Sequence, residues 1–257
     1  QRYTASYLDV DDLATPGVTL TGQAKIKPWV QVAGRIYLYG DSIAYAQAGV
    51  DEILYLDIVA SLYDRFSLAE LVRKTAEDVF VPITVGGGLR NLEHVRLALA
   101  SGADKVAINT AAIRRPEFIE EVAGEFGSQC VVVSIEAKRQ PGGGWHCYTD
   151  NGREITGRDA IAWAEEAVER GAGEILVTSI DQEGTKQGMD GQLIQAIAEA
   201  VPRPVIASGG VGNVKHVTQA VTLGADAVAV AHVLHYNEHS VAELQAGLRA
   251  IPVHRTV

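Results

Sequence analysis

Two glycine-rich turns and a set of carboxylates stand at matching points of this 257-residue chain. Gly86-Gly87-Gly88 and Ser208-Gly209-Gly210 each close a short β-branched run, and Asn109-Thr110 and Ala231-His232 follow the runs next in line. Glycines at strand ends let backbone N–H groups approach an anion, and the following helix adds its positive dipole end. Two such turns in register point to two phosphate sites and to a substrate carrying a phosphate at each end; as plain tight turns they need no ligand. Backbone donors need no lysine, so the net charge of −10 is no obstacle. Asp9 and Glu136 end the runs at 4–9 and 130–136, and Asp57 and Asp181 end those at 52–58 and 174–179. Two carboxyl groups facing each other across a shared mouth suit general acid–base work, the role expected of Asp9 and Glu136. Helix capping or loop ion pairs are expected of Asp57 and Asp181. Glu52, Lys105 and Glu174 start their runs, with Arg2 or Tyr3 starting the first, so they belong at the opposite end. There they either stabilise that end or form a salt-bridge ring around an axial opening.

The elements that position these residues are written twice. Residues 81–110 recur at 203–232 without a gap, with twelve of thirty positions identical, including Asn91/Asn213, His94/His216 and the Gly-Ala-Asp at 102–104 and 224–226. Repeats of this kind decide the fold. Strands are expected near 4–9, 52–58, 81–85, 104–108, 130–136, 174–179, 203–207 and 226–230, most followed by amphipathic helices. Ser67-Leu68-Ala69-Glu70 has capping-box spacing, with Leu71, Val72 and Val79 on one face. A helix starts at Asn213 with Val214, Val217 and Val221 inward, and another at Ser240-Val241-Ala242-Glu243. Eight such units in this length predict a (β/α)₈ TIM barrel of two half-barrels, about 1–125 and 126–257, forming one domain. A doubly wound open sheet is the rival, and strict two-fold repetition favours closure. Two connections, about 10–41 and 140–157, are longer than the fold requires, and both hang over the C-terminal face where barrel active sites lie.

Composition narrows the class. Apolar residues make up 47% and charged residues 21%, the profile of a globular chain with a large core. No apolar run is long enough to span a membrane and no secretory signal is visible. Cys130 and Cys147 have no metal-type spacing and read as reduced thiols, so a cytoplasmic location is expected, with no metal and no cofactor. The acidic balance argues against nucleic acid.

At the motifs LDV (8–10), DEILYLDIVAS (51–61), TVGGG (84–88), GADKVAINTAA (102–112), FGSQC (126–130), AKRQPGGGW (137–145), GAGEILVTSID (171–181), EGTKQG (183–188) and ASGG (207–210), the chain resembles the cyclase subunit of imidazole glycerol phosphate synthase. The related phosphoribosyl isomerase fold shares the half-barrel repeat, but the PGGGW and GAGEILVTSID segments side with the cyclase. The resemblance implies an ammonia-using synthase subunit that acts on a phosphorylated small molecule. A separate glutaminase subunit would dock on the bottom face and release ammonia into the barrel. It places Asp9 and Glu136 on the catalytic pair, and Gly87, Gly88, Asn109 and Thr110 at one phosphate site. Gly209, Gly210, Ala231 and His232 fall at the other, and Thr178, Glu183 and Gly184 on substrate contacts. Glu52, Lys105 and Glu174 fall on the ammonia gate and Asp104 on the glutaminase docking face. The chain departs from the family pattern at Glu136 and Glu183, where the family has Asp, at Thr21 for a mobile-loop lysine, at Tyr3 for a gate arginine, and at His232 for a serine. Two further readings stay open on those departures: a paralogue passing ammonia to a surface-polysaccharide sugar, and a non-catalytic ammonia-conducting scaffold.

Overall fold

The computed structural model describes residues 38–57 and 68–248. In chain order these form α1 (Leu38–Gln47), β1 (Ile53–Leu56), α2 (Ala69–Asp78), β2 (Ile83–Gly86), α3 (Leu92–Ala100), β3 (Lys105–Ile108), α4 (Thr110–Arg114) and α5 (Glu117–Phe126). There follow β4 (Val131–Arg139), β5 (Trp145–Thr149), β6 (Glu154–Asp159), α6 (Ala160–Glu169), β7 (Glu174–Ser179), α7 (Gly191–Ala200), β8 (Val205–Ser208), α8 (Val214–Thr222), β9 (Ala227–Ala229), α9 (His232–His235) and α10 (Val241–Leu248). Seven strands pair in the parallel order β1-β2-β3-β4-β7-β8-β9, with helices between them, the architecture of a (β/α)₈ barrel. The expected strand at 4–9, with Asp9, lies outside the described residues, as do Arg2, Tyr3, Thr21 and Ser67.

Strand alternation separates two cores. Val131, Val133, Ile135 and Ala137 of β4 pack outward into a helix-facing core with Phe118, Ile119, Val122 and Trp163. The alternate Val132 packs with Ala107 and Leu176, and Leu54, Leu56, Ile206 and Ala229 close around them as an apolar layer inside the barrel. Glu136 follows in the same inward phase, opposite Thr178 of β7 in the parallel register.

The repeat is a structural one. Asp104 accepts from the Ile83 N–H through Oδ2 at 2.8 Å, and Asp226, 122 residues on, does the same for Val205. Asn91 caps α3 by accepting from His94 N–H, and Asn213 caps α8 by accepting from Lys215 and His216. Helix α10 starts where expected, at Ser240, with a reciprocal capping box: Glu243 N–H donates to Ser240 Oγ, and Ser240 N–H donates to Glu243 Oε2.

The long connection expected at 140–157 is largely structured. Strand β4 runs three residues beyond its expected end to Arg139, and after the glycine turn β5 pairs back on it antiparallel, with β6 paired to β5. The alternating burial of Trp145, Cys147 and Thr149 drives this, with Trp145 and Cys147 packing into the core beside Ala160 and Trp163 of α6. Strong turn signals at both ends disguised a five-residue strand as loop.

Candidate functional site

A cavity of about 470 Å³ opens at the C-terminal ends of the strands. Its walls include Asp57 after β1, Gly87, Gly88 and Arg90 after β2, Asn109 and Thr110 after β3, and Arg114 and Arg115 at the end of α4. Ser134 and Glu136 of β4, Asn151 and Gly152 of the β5–β6 turn, Thr178 of β7 and Glu183 beyond it also line it. The structure thus brings together Gly87, Gly88, Asn109, Thr110, Glu136, Thr178 and Glu183.

The cavity lining carries both acids and arginines. Glu136 is largely buried, and burial pushes its carboxyl up to about 7 from an ordinary 4.5. The Gly152 N–H, donating to Oε2 at 2.7 Å, pulls the other way, the charge of Asp150 pushes further, the Asn109 side chain opposes, and Glu183 adds a smaller push. Burial alone lifts Glu183 to about 7. Its Oε2 and the Asn109 Oδ1 are buried acceptors with no hydrogen-bond partner among the described residues. Three arginines, Arg90, Arg114 and Arg115, line the same cavity. Arg114 pairs with Asp150 at 3.1 Å, and the Arg115 guanidinium lies 5.2 Å from the Phe118 ring centroid.

The glycine pairs show why that residue is needed. Gly87 and Gly209 have φ of 97° and 93°, and a Cβ on either would strike the end of the preceding strand, at 2.2 Å from the Asp57 carbonyl oxygen and 2.9 Å from that of Ser179. These two glycines let consecutive strands close up at the rim. Gly88 faces the cavity, and its carbonyl accepts from His94 Nδ1–H at 3.1 Å. The second expected phosphate site is arranged differently. Gly184, Gly209, Gly210, Ala231 and His232 are not in the described cavity lining. A Cβ on Gly210 would meet the Gly188 carbonyl oxygen at 2.1 Å. His232 Nε2 lies 3.4 Å from Glu238, which also accepts from Lys186 at 2.8 Å. The other ring nitrogen of His232, Nδ1, is buried with no partner among the described residues.

At the opposite end of the barrel, Glu52, Lys105 and Glu174 meet as the sequence led one to expect. Lys105 Nζ donates to Glu52 at 2.7 Å and to Glu174 at 2.8 Å, and Thr84 Oγ1 donates to the other Glu52 oxygen. Burial works to lower the Lys105 pKa, but the bonds from Glu174 and Glu52 outweigh it and the pKa is raised. The apolar layer separates this cluster from the cavity. Asp104 is exposed on the same end and holds β2 through the Ile83 N–H.

Sequence reasoning passed over the arginines and Thr84, and it placed the 140–157 connection over the site without finding the bond from its turn to Glu136. Asp57 is buried and lines the cavity, and Asp181 has a structural role of another kind than the cap or ion pair expected, accepting from the Arg139 N–H at the end of β4 at 2.8 Å. Among the described residues no group of side chains has the makings of a metal site, and no helix is long and apolar enough to cross a membrane.

Comparison with known proteins agrees with the geometry. The family model described as "Histidine biosynthesis protein" matches residues 41–240. The imidazole glycerol phosphate synthase subunit HisF of Symbiobacterium thermophilum is 51% identical over 215 residues, covering 82% of this chain and 85% of that protein. Its namesake from Synechocystis sp. is 51% identical over 219 residues, covering 83% and 84%, and that from Trichormus variabilis 51% identical over 209, covering 80% and 81%. Neither the surface-polysaccharide reading nor the non-catalytic scaffold finds support in these relatives.

Proposed function

The chain belongs to the HisF cyclase-subunit family of histidine biosynthesis proteins, and on that premise we propose that it joins ammonia to a phosphoribosyl substrate to form imidazole glycerol phosphate. The observation that carries this reading is the make-up of one cavity: two carboxyl groups whose pKa burial raises to about 7, lined together with a glycine turn and three arginines. A proton donor or acceptor works best when its pKa lies near the operating pH. Glu136 is the described group that exchanges protons with the substrate, and Asp9 is its proposed partner. Glu183, Asn109 and Thr178 meet the polar middle of the substrate, where the two unpartnered acceptors suit its N–H or O–H groups. Backbone donors at Gly87, Gly88 and Thr110 hold one phosphate, those at Gly209, Gly210, Ala231 and His232 hold the other, and Gly184 sits with Glu183 on the substrate.

Ammonia reaches the cavity from a separate glutaminase subunit docked at the far end, where Asp104 contacts it and Glu52, Lys105 and Glu174 gate the barrel. A neutral molecule of that size suits the apolar layer between the two ends, whereas an ammonium ion would meet a large desolvation cost there. The two half-barrels act as one domain, because the strands of both contribute to a single cavity. The test is incubation of the chain with the phosphoribosyl precursor and ¹⁵N-ammonium, followed by mass spectrometry. Imidazole glycerol phosphate carrying one ¹⁵N supports the proposal; unreacted precursor overturns it.

A further inference from the structure

The hairpin that leaves the barrel at β4 is tied back into the cavity by its turn. Asp150, Asn151 and Gly152 have successive φ values of 49°, 61° and 74°. Asp and Asn are the side chains that best tolerate this left-handed region, and the third position is glycine. Gly152 N–H donates to Glu136 Oε2 at 2.7 Å, while the Asp150 N–H reaches Thr110 Oγ1 at 3.4 Å. The Asp150 side chain, only 12% exposed, pairs with the more exposed Arg114 at 3.1 Å. The turn therefore touches two walls of the cavity, the carboxylate on β4 and the hydroxyl that opens α4.

We propose that this turn is a positioning element for the reaction: Gly152 holds the Glu136 carboxylate in place, and the Asp150 charge, balanced by Arg114, sets how readily Glu136 takes up a proton. The catalytic half of this rests on the role proposed for Glu136 above; the structural half does not. Glu136 is faced by Asp150 from the turn, by Glu183 from beyond β7 and by the Asn109 amide from the end of β3. Asp57, Arg90 and Arg115 share its cavity. Burial is the largest influence on its protonation, and Asp150 pushes in the same direction. Two substitutions should then act in opposite senses. Asp150→Asn removes a negative charge and keeps a residue suited to the left-handed turn, so Glu136 ionises at lower pH. Arg114→Gln leaves the Asp150 charge unbalanced, so Glu136 ionises at higher pH. Unit charges at such separations in a partly buried site move a titration by a few tenths of a pH unit or more.

The experiment is a carbon-13 NMR titration of the full chain labelled at its glutamate carboxyls, with the Glu136 signal identified by its loss in Glu136→Gln. The expected midpoint is about 7 in the parent chain, lower in Asp150→Asn and higher in Arg114→Gln. Unmoved midpoints, or a shift of the same sign in both variants, overturn the proposal. The pH profile of turnover is the second readout: the limb that Glu136→Gln abolishes should move with the NMR midpoint in each variant. A limb that stays fixed while the midpoint moves overturns the catalytic half. Absence of turnover in the parent chain overturns the proposed function itself, and the NMR midpoints still decide whether the turn controls Glu136.

Discussion

Glu183 makes the chain less stable at the pH where it would work. Its Oε2 is buried without a partner among the described residues, and it packs so closely on Gly209 that a Cβ there would lie 3.2 Å away. Burial raises its pKa from 4.5 to about 7. Between those values the folded chain holds a proton that the unfolded chain has released. The unfolded state binds fewer protons, so stability falls as pH rises through that window. A span of about two and a half pH units, at about 1.4 kcal/mol each, makes the loss about 3 kcal/mol above pH 7. Glu183→Met keeps an unbranched side chain of similar length and removes both the charge and the unpartnered oxygen. It should stabilise the chain by about 2–3 kcal/mol at pH 8, a rise in Tm of about 4–12 °C for a protein of this size. At pH 5, where Glu183 is neutral in the folded state, the gain should shrink to about 1 kcal/mol or less. Thermal and urea unfolding of both proteins at the two pH values measure this. An equal effect at pH 5 and pH 8, or destabilisation at pH 8, refutes the reasoning. Turnover should fall as stability rises, because the residue lines the proposed site.

Three further outcomes are expected. Lys105→Met leaves the Glu52 and Glu174 carboxylates facing each other and should cost about 2–4 kcal/mol in urea unfolding. Because the Lys105 pKa is raised, its stabilisation is intact below its ordinary 10.5 and is lost as pH climbs through the folded value; a cost unchanged between pH 8 and pH 12 contradicts this. Asp104→Asn retains an acceptor for the Ile83 N–H and should weaken glutaminase binding with little change in stability, whereas Asp104→Lys should lose both; calorimetric binding and melting curves together separate docking from folding. Crystals soaked in sulfate should show an anion near Gly88 and Thr110 and a second near Gly210 and His232, and an empty first position contradicts the phosphate assignment.

What the sequence made legible was whatever the internal repeat wrote twice. Gly87 and Gly209, Asn91 and Asn213, and Asp104 and Asp226 each do the same structural work in both copies, since the same local backbone needs the same side chain. Glu136 was picked out as the carboxylate closing the run 130–136, the counterpart of Asp9; β4 in fact runs on to Arg139, and Glu136 still lines the cavity. The Lys105 cluster followed from three charged residues each beginning a strand. The β5–β6 hairpin was hidden because PGGG and DNG are turn signals whether a strand or a loop lies between them. Gly152's bond to Glu136 spans sixteen residues and depends on how that hairpin folds over the rim. Arg114 and Arg115 were passed over because adjacent arginines at a helix end ordinarily face solvent; only the fold shows that they border the cavity.

The most direct measurement is the steady-state rate of imidazole glycerol phosphate formation from the phosphoribosyl precursor with ammonium as donor, in the parent chain and in Glu136→Gln. The account predicts turnover in the parent chain and a loss of about 10²-fold or more in the variant, the scale of removing a positioned acid–base group, with stability maintained. Undiminished turnover in Glu136→Gln, or none in the parent chain, contradicts it.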